Sequence, residues 1–248
     1  MPFLHRYEKD TSRPTVGQAA GDLVRRTLAP ALALFAGVLG LGFVITGPFG
    51  DLPAEEKVSE TLASDRTPQL NGITAFFSRA GNTEIVIALC VVISLLILWR
   101  TRQWWLAVIP AIAVSVQATV FVLVTTIVGR PRPEVPHLDP APPTSSYPSG
   151  HAGASMALYL ALALIAQRIK TPFLRWSATF LCFLVPLLVS FARLYRGMHH
   201  LSDIIVGLIN GVVCGLLAWR YLRRSDDGAQ DRPAGAHTAV TSSGSSAP

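Results

Sequence analysis

Six long apolar blocks constrain what this chain can fold into more than any other feature of its sequence. They cover residues 30–46, 85–99, 104–128, 152–166, 176–191 and 204–221. A helix needs about 20 residues to cross the hydrocarbon core of a bilayer, with about 17–25 as the usual range. The shortest block reaches this length if its helix begins near Asn82. We therefore predict an all-α fold: an integral membrane bundle of six transmembrane helices with a short extracytoplasmic helical segment.

Composition supports a membrane protein and argues against a nucleic-acid partner. Of the 248 residues, 50% are hydrophobic and 15% are charged, whereas soluble domains have roughly 25% charged residues. The net charge of +6 is not gathered on one soluble face. The basic residues stand at the ends of the apolar blocks, where membrane orientation requires them.

These basic clusters also predict an orientation. They are Arg25 and Arg26; Arg100 and Arg102; Arg168, Lys170 and Arg175; and Arg220, Arg223 and Arg224. If every block spans, all four clusters lie on one side, which the positive-inside rule makes the cytoplasm. We predict a cytoplasmic tail over residues 1–26, a six-span domain over 27–224 with an extracytoplasmic connection at 48–82, and a disordered cytoplasmic tail over 225–248. Spaced apolar residues in the connection favour short surface helices that shield the site.

Three polar segments fall together on the predicted outer side. "GRPRP" ends the third block, "YPSGH" opens the fourth, and "ARLYRGMHHLSD" joins the fifth to the sixth. They bring Arg130, Arg132, Arg193 and Arg196 to the side that the positive-inside rule disfavours for arginine. Ionisable groups at a bilayer edge are costly and usually mark a functional site.

The first chemical prediction is a phosphate-binding site. Arg132 and Arg193 are forked, permanently charged donors that match phosphate oxygens. Ser149 and Gly150 lead into the fourth helix, whose backbone amides and dipole favour an anion. The Ser149 hydroxyl is a further donor, and Gly150 permits close approach of the backbone.

The second prediction is a catalytic group of two histidines and an aspartate. His199 and Asp203 are four residues apart at the start of the sixth helix and hence share a face. Asp203 can accept the proton of one ring nitrogen while the other attacks phosphorus. His151 would protonate the leaving oxygen and then activate water. These three residues could instead bind zinc, but the arginines would repel a cation, so we expect no metal and no cofactor.

Taken together, the three segments resemble the type 2 phosphatidic acid phosphatase family, which is related to the vanadium haloperoxidases. The family signature is Lys-x6-Arg-Pro, Pro-Ser-Gly-His and Ser-Arg-x5-His-x3-Asp. Residues 148–151 match its second part completely, Arg132 and Pro133 match the first, and Arg193, His199 and Asp203 match the third. The resemblance covers about residues 125–203.

The resemblance implies metal-independent hydrolysis of a lipid phosphate through a phosphohistidine, with His199 as nucleophile and His151 as acid and base. The implied substrates are undecaprenyl pyrophosphate, phosphatidic acid and phosphatidylglycerol phosphate, and our first choice is a polyprenyl pyrophosphate. The implied partners are the lipid substrate and the bilayer. The expected location is a bacterial plasma membrane, with both termini cytoplasmic and the site extracytoplasmic.

Two positions depart from the signature. Thr125 stands where the family has lysine, and Ala192 replaces the serine. Loss of one preorganised donor to a transition-state oxygen costs about 10²–10³ in rate. We expect Arg130 to contact the phosphate and supply a substitute charge. The alternative function, which these departures motivate, is a lipid-phosphate binding or transport protein with weakened turnover.

Simpler interpretations of the same residues remain open. Arg130 and Arg132 are also typical of residues that end a helix, and "PSGH" is typical of a turn before a helix. The i,i+4 pair of His199 and Asp203 also occurs on ordinary helix faces. Gln117 suits an interhelical hydrogen bond. Other polar residues are expected at the surface of the Pro-rich loop: Glu134, His137 and Asp139.

Overall fold

The computed structural model describes residues 3–4, 13–47 and 52–222. Within these ranges the chain forms eight helices and no strand, which confirms the predicted all-α fold. They are α1 (Val16–Thr46), α2 (Pro53–Ser64), α3 (Pro68–Ala80), α4 (Thr83–Thr101), α5 (Trp104–Val128), α6 (Gly150–Ala166), α7 (Pro172–Tyr195) and α8 (Leu201–Trp219). Helix α1 begins inside the predicted N-terminal tail and contains a π-helical turn at Val24–Leu28. The tail predicted over residues 225–248 lies outside the described residues.

Six helices account for the six apolar blocks. Helices α1, α4, α5, α7 and α8 are long and apolar enough to cross a membrane, and α6 is apolar but has 17 residues. Large apolar side chains cover much of the outside, among them Leu32, Leu95 and Phe180. Water would not tolerate so extensive an apolar surface, whereas lipid does. The chain is therefore an integral membrane protein.

The helix predicted to begin near Asn82 does so. Helix α4 starts at Thr83, and Asn82 occupies its N-cap position with an extended backbone. The Asn82 side chain makes no capping bond to the helix. Instead, its Oδ1 lies 3.1 Å from Nε2 of His151 on α6. The start of α4, which follows α3, thus contacts the first turn of α6.

Helix α6 is central, because it packs against α5, α7 and α8. Its contact with α8 depends on small residues: a Cβ on Gly207 would lie 2.5 Å from the Ser149 carbonyl oxygen. The close approach lets the Ser149 amide donate to the Asp203 carbonyl at 3.0 Å. This close packing therefore places the start of α6 beside the start of α8.

We expect Gly207→Ala to destabilise the folded protein by about 1–3 kcal/mol, since overpacking a close helix contact forces the backbones apart. Gly37→Ala is the matched control, because a Cβ at Gly37 on α1 meets nothing within 4 Å. Thermal unfolding in detergent should show a lower melting temperature for Gly207→Ala alone. Equal melting temperatures for the two variants would contradict the packing interpretation.

Candidate active site

A cavity of about 360 Å³ opens at the end of the bundle where the three polar segments meet. The structure brings five of the predicted site residues to its wall: Arg132, Gly150, His151, Arg193 and His199. Much of the remaining wall is apolar and comes from α4, α5 and α6, including Val86, Val114, Phe121 and Ala154. The cavity therefore joins a cationic, imidazole-containing region to a hydrocarbon-lined region. Arg130, Ser149 and Asp203 do not line it.

His199 lies in the turn between α7 and α8 and is buried. Its Nδ1 is 2.7 Å from the carbonyl oxygen of Ser146. A carbonyl cannot donate, so Nδ1 carries the proton, and the neutral ring keeps the lone pair on Nε2. Burial, followed by the charge of Arg193, holds the pKa of His199 well below its ordinary value of 6.5. The ring is therefore neutral at neutral pH and has a free nitrogen.

The predicted bond from the His199 ring to Asp203 is not present. Oδ2 of Asp203 is 3.9 Å from Nδ1 of His199, beyond hydrogen-bonding distance. The same oxygen accepts the backbone N–H of His200 at 2.9 Å. The Ser146 carbonyl therefore has the orienting role that the sequence analysis assigned to Asp203. A backbone carbonyl leaves no signal in a side-chain pattern, which is why it was missed.

His151 stands in the first turn of α6 and is held by a residue that the site prediction did not include. Its Nε2 contacts Oδ1 of Asn82 at 3.1 Å. The amide oxygen accepts, so this contact orients the ring. Asn82 was noticed only as a helix start, and nothing in its spacing connects it with His151, which is 69 residues away.

Arg193 lies in the last turn of α7 and is buried at the cavity wall. Its Nη1 donates to Oγ of Ser78 at 2.8 Å and to Oδ2 of Asp139 at 2.9 Å. Oδ1 of Asp139 pairs with Nη2 of Arg196 at 2.8 Å. The prediction that Asp139 is a plain surface residue was therefore wrong.

The charge state of Asp139 follows from these contacts. Burial would raise its pKa, but the hydrogen bonds from Arg196 and Ser78 and the charge of Arg193 outweigh it, and the pKa is lowered. Asp139 is therefore an ionised carboxylate that pairs with two arginines, and one of them, Arg193, lines the cavity. Its loop position gave no indication of this, because both arginines lie more than 50 residues further along the chain.

Arg132 lines the cavity and donates from Nη1 to the carbonyl oxygen of Met198. Among the described residues, no carboxylate forms an ion pair with it. Its charge is therefore available to an anion in the cavity. Gly150 opens α6 at the same wall, and a Cβ there would lie 2.9 Å from the ring of Phe121. The helix start can therefore pack this closely against the Phe121 ring because residue 150 is glycine.

Ser149 has another role than the one predicted for its hydroxyl. It is fully buried and is the N-cap of α6, where Oγ accepts the N–H of Ala152 at 3.4 Å. The hydroxyl is thus engaged with the helix. The α6 backbone, not this side chain, faces the cavity.

Arg130 is placed behind the cavity wall. Its Nη1 contacts Oδ1 of Asp203 and Oγ of Ser202, and its Nη2 donates to Oε2 of Glu55 at 2.8 Å. Burial alone would lower its pKa, but the two carboxylates outweigh burial and raise it. The structure therefore does not bring Arg130 to the phosphate region, and the expected substitute for the missing lysine is not found there. Thr125 is buried and does not line the cavity either.

Fold and site together define an integral membrane protein with a cationic, histidine-containing cavity at one end of its helix bundle. The sequence profile of the PAP2 superfamily matches residues 102–227, a range that contains all three polar segments. The chain belongs to the PAP2 superfamily, which confirms the resemblance to the type 2 phosphatidic acid phosphatases.

One curated relative and two solved structures are similar to this chain. Undecaprenyl-diphosphatase BcrC of Bacillus subtilis (strain 168) is 27% identical over 103 residues, which are 40% of this chain and 49% of BcrC. The matched region thus spans about half the length of that curated relative. A transmembrane PAP2-type phosphatidylglycerolphosphate phosphatase from Bacillus subtilis has the same fold, with a TM-score of 0.66, 19% identity, and coverage of 82% of this chain and 97% of its own. LpxE of Aquifex aeolicus gives a TM-score of 0.56 at 20% identity, covering 69% of this chain and 98% of its own.

Proposed function

We propose that this protein is a lipid phosphatase that hydrolyses a lipid phosphate or pyrophosphate through a phosphohistidine on His199. One observation carries the proposal: His199 and His151 line one cavity together with Arg132 and Arg193. That arrangement has a nucleophile, an acid and two forked cations around a space large enough for a phosphate. Phosphoryl transfer is catalysed mainly by such positioning and charge stabilisation.

The proposed first step forms the phosphoenzyme. Arg132, Arg193 and the amides at the start of α6 hold the phosphate oxygens. Nε2 of His199 attacks phosphorus while Nδ1–H stays bonded to the Ser146 carbonyl. The bond from phosphorus to the lipid-side oxygen breaks, and a protonated His151 gives that oxygen its proton.

The proposed second step releases phosphate. His151, now neutral, takes a proton from water, which attacks phosphorus and breaks the P–N bond to His199. The products are inorganic phosphate and a lipid alcohol, or a lipid monophosphate when the substrate is a pyrophosphate. Asp203, 3.9 Å from the His199 ring, stabilises the positive charge that the ring acquires. We propose that no metal is required, since two arginines supply the positive charge.

The substrate class follows from the cavity wall and from the family. Ile87 on α4 and Val122 on α5 line the cavity and are also 52% and 51% exposed. We propose that the hydrocarbon tail reaches the site between these two helices. Given that BcrC is an undecaprenyl-diphosphatase, a polyprenyl pyrophosphate is our first choice. The basic clusters favour a site at the outer face of a bacterial plasma membrane, with both termini cytoplasmic.

The test is phosphate release from a panel of lipids in detergent, comparing wild type with His199→Ala. The panel contains undecaprenyl pyrophosphate, phosphatidic acid and phosphatidylglycerol phosphate, each with and without a chelator. We expect release by wild type alone, unaffected by the chelator, and fastest from undecaprenyl pyrophosphate. Release that vanishes with chelator and returns with zinc would contradict the metal-free mechanism.

One observation favours a second candidate function. Thr125 carries no charge, and the Arg130 guanidinium is paired with Glu55 and does not line the cavity. The site therefore lacks one cationic donor that the family signature has. The second candidate is a lipid-phosphate binding or transport protein with weakened turnover. Wild type that binds the panel lipids but releases no phosphate from any of them would favour it.

The neutral state of His199 predicts the pH dependence. A histidine whose folded pKa lies below 6.5 is neutral and nucleophilic above that lowered pKa and is lost as a nucleophile only below it. We expect the acid limb of kcat/KM, which reports the free enzyme, to lie below pH 6.5. The proton that His151 must carry in the first step sets a separate limb, on which kcat/KM falls as pH rises. The substrate phosphate also ionises with pH. Its ionisation is measured separately by phosphorus NMR in the same detergent, and the pH profile of kcat/KM is corrected for it. A loss of kcat/KM on acidification that is centred at or above pH 6.5 would contradict this assignment.

A further inference from the structure

Glu55 on helix α2 is a buried carboxylate directed at the end of the bundle that holds the cavity. Its Oε2 accepts Nη2 of Arg130 at 2.8 Å and Oγ of Ser202 at 3.1 Å, and its Oε1 accepts the backbone N–H of Ser202 at 2.7 Å. A buried carboxylate is tolerated only when it is paired and hydrogen-bonded. Glu55 meets that condition entirely through groups close to the candidate site.

The contact with Ser202 lies at the start of α8. Leu201 is the first residue of that helix and Ser202 the second, so its N–H is one of the four that no helical carbonyl can satisfy. A carboxylate at a helix N-terminus is also favoured by the helix dipole. Glu55 therefore ties the beginning of α8 to α2, immediately after His199 and before Asp203.

The contact with Arg130 extends further toward the nucleophile. Arg130 uses its other terminal nitrogen for Oδ1 of Asp203, and Oδ2 of Asp203 lies 3.9 Å from Nδ1 of His199. One arginine between two carboxylates leaves one net negative charge in this buried group of Glu55, Arg130 and Asp203. Glu55 offsets the positive charge of Arg130. The negative charge of Asp203 is therefore less screened by Arg130 and stabilises more strongly the His199 ring, which becomes positive during attack.

We propose that Glu55 is a positioning residue for the reaction, acting through Arg130 and the start of α8 on Asp203 and His199. This inference rests on the proposed phosphatase function. It assigns a part of the machinery to a connection helix that lies outside the three signature segments. Helix α2 thereby contributes a residue to the machinery without lining the cavity.

The experiment compares Glu55→Gln with Glu60→Gln in the full chain. Both variants remove one carboxylate from α2, but Glu60 is exposed. We expect Glu55→Gln to lower kcat by about 10–100-fold, the usual effect of removing a residue that orients an active-site group in metal enzymes. KM should stay near that of wild type, since Glu55 does not line the cavity. Glu60→Gln should match wild type in both constants.

Two further variants separate positioning from folding. Glu55→Asp keeps the charge, so it should fold and give a kcat between those of wild type and Glu55→Gln. In a double-mutant cycle with Arg130→Gln, the free-energy effects of the two losses in kcat should be less than additive, because both residues act through the same series of contacts on Asp203. If Glu55→Gln does not fold, a lower kcat of Glu55→Asp at unchanged KM and melting temperature supports the proposal.

The results that would overturn the inference are distinct from failure of the function. An unchanged kcat in Glu55→Gln, or in Glu55→Asp when the glutamine variant does not fold, removes Glu55 from the reaction. Full additivity with Arg130→Gln also overturns it. Wild type that releases no more phosphate than His199→Ala would instead contradict the phosphatase function itself.

Discussion

Replacement of His199 by alanine is expected to abolish phosphate release, with a loss in kcat on the order of 10⁴–10⁶-fold, as for removal of other covalent nucleophiles. The reason is that the proposed first step forms a bond to Nε2 of this ring, and no other nucleophile is proposed to replace it. The measurement is single-turnover phosphate release in detergent, together with trapping of an acid-labile phosphoprotein in wild type.

His137→Ala is the matched control for this variant. It removes an imidazole from the same end of the bundle, but His137 contacts the Pro133 carbonyl and does not line the cavity. It should retain wild-type kcat. Comparable losses in both variants would mean that disturbance of this end of the bundle, and not loss of the nucleophile, causes the effect.

Arg193→Lys is expected to lower kcat by about 10²–10³-fold, the effect of losing one preorganised donor to a transition-state oxygen. Lysine keeps the positive charge but lacks the planar fork that can hold both Asp139 and a phosphate oxygen. The change should appear mainly in kcat, because the donor is most important when charge develops on the phosphoryl oxygens. Steady-state kinetics on the best lipid of the panel measure it.

Arg175→Lys provides the control for Arg193→Lys. Arg175 lies on the same helix, α7, near its opposite end, and it is directed at the ring of Trp176. Its replacement should leave both kcat and KM unchanged. An Arg193→Lys variant with wild-type kcat would show that the guanidinium fork does not act on the phosphate.

The prediction of the fold succeeded because a membrane helix is specified locally. Length and apolar character decide whether a segment can span, and both are visible in one block of sequence. The same logic brought the three polar segments to one end, since an even number of spans returns the chain to the same face. Topology therefore predicted that Arg132, His151 and His199 lie at one end, whereas their meeting at one cavity depends on tertiary packing.

The partners of these residues were harder to predict, because a hydrogen bond depends on tertiary distances of a few ångströms. Asp203 matched the family spacing, yet its carboxylate contacts Arg130 and His200, and the His199 ring bonds to a backbone carbonyl instead. Arg130 stands two residues from Arg132, but it pairs with Glu55 and does not line the cavity. Spacing along the chain cannot show which of two neighbouring arginines meets a buried carboxylate.

The sequence by itself determined the membrane bundle, its family and the types of side chain that meet at one end. These depend on apolar length, the order of the spans and short motifs, all of which are local. Only the tertiary structure decided that Asn82 contacts His151, that Asp139 pairs with Arg193 and that Glu55 pairs with Arg130. Each lies more than 50 residues from the group it holds, and only packing of distant helices brings such pairs into contact.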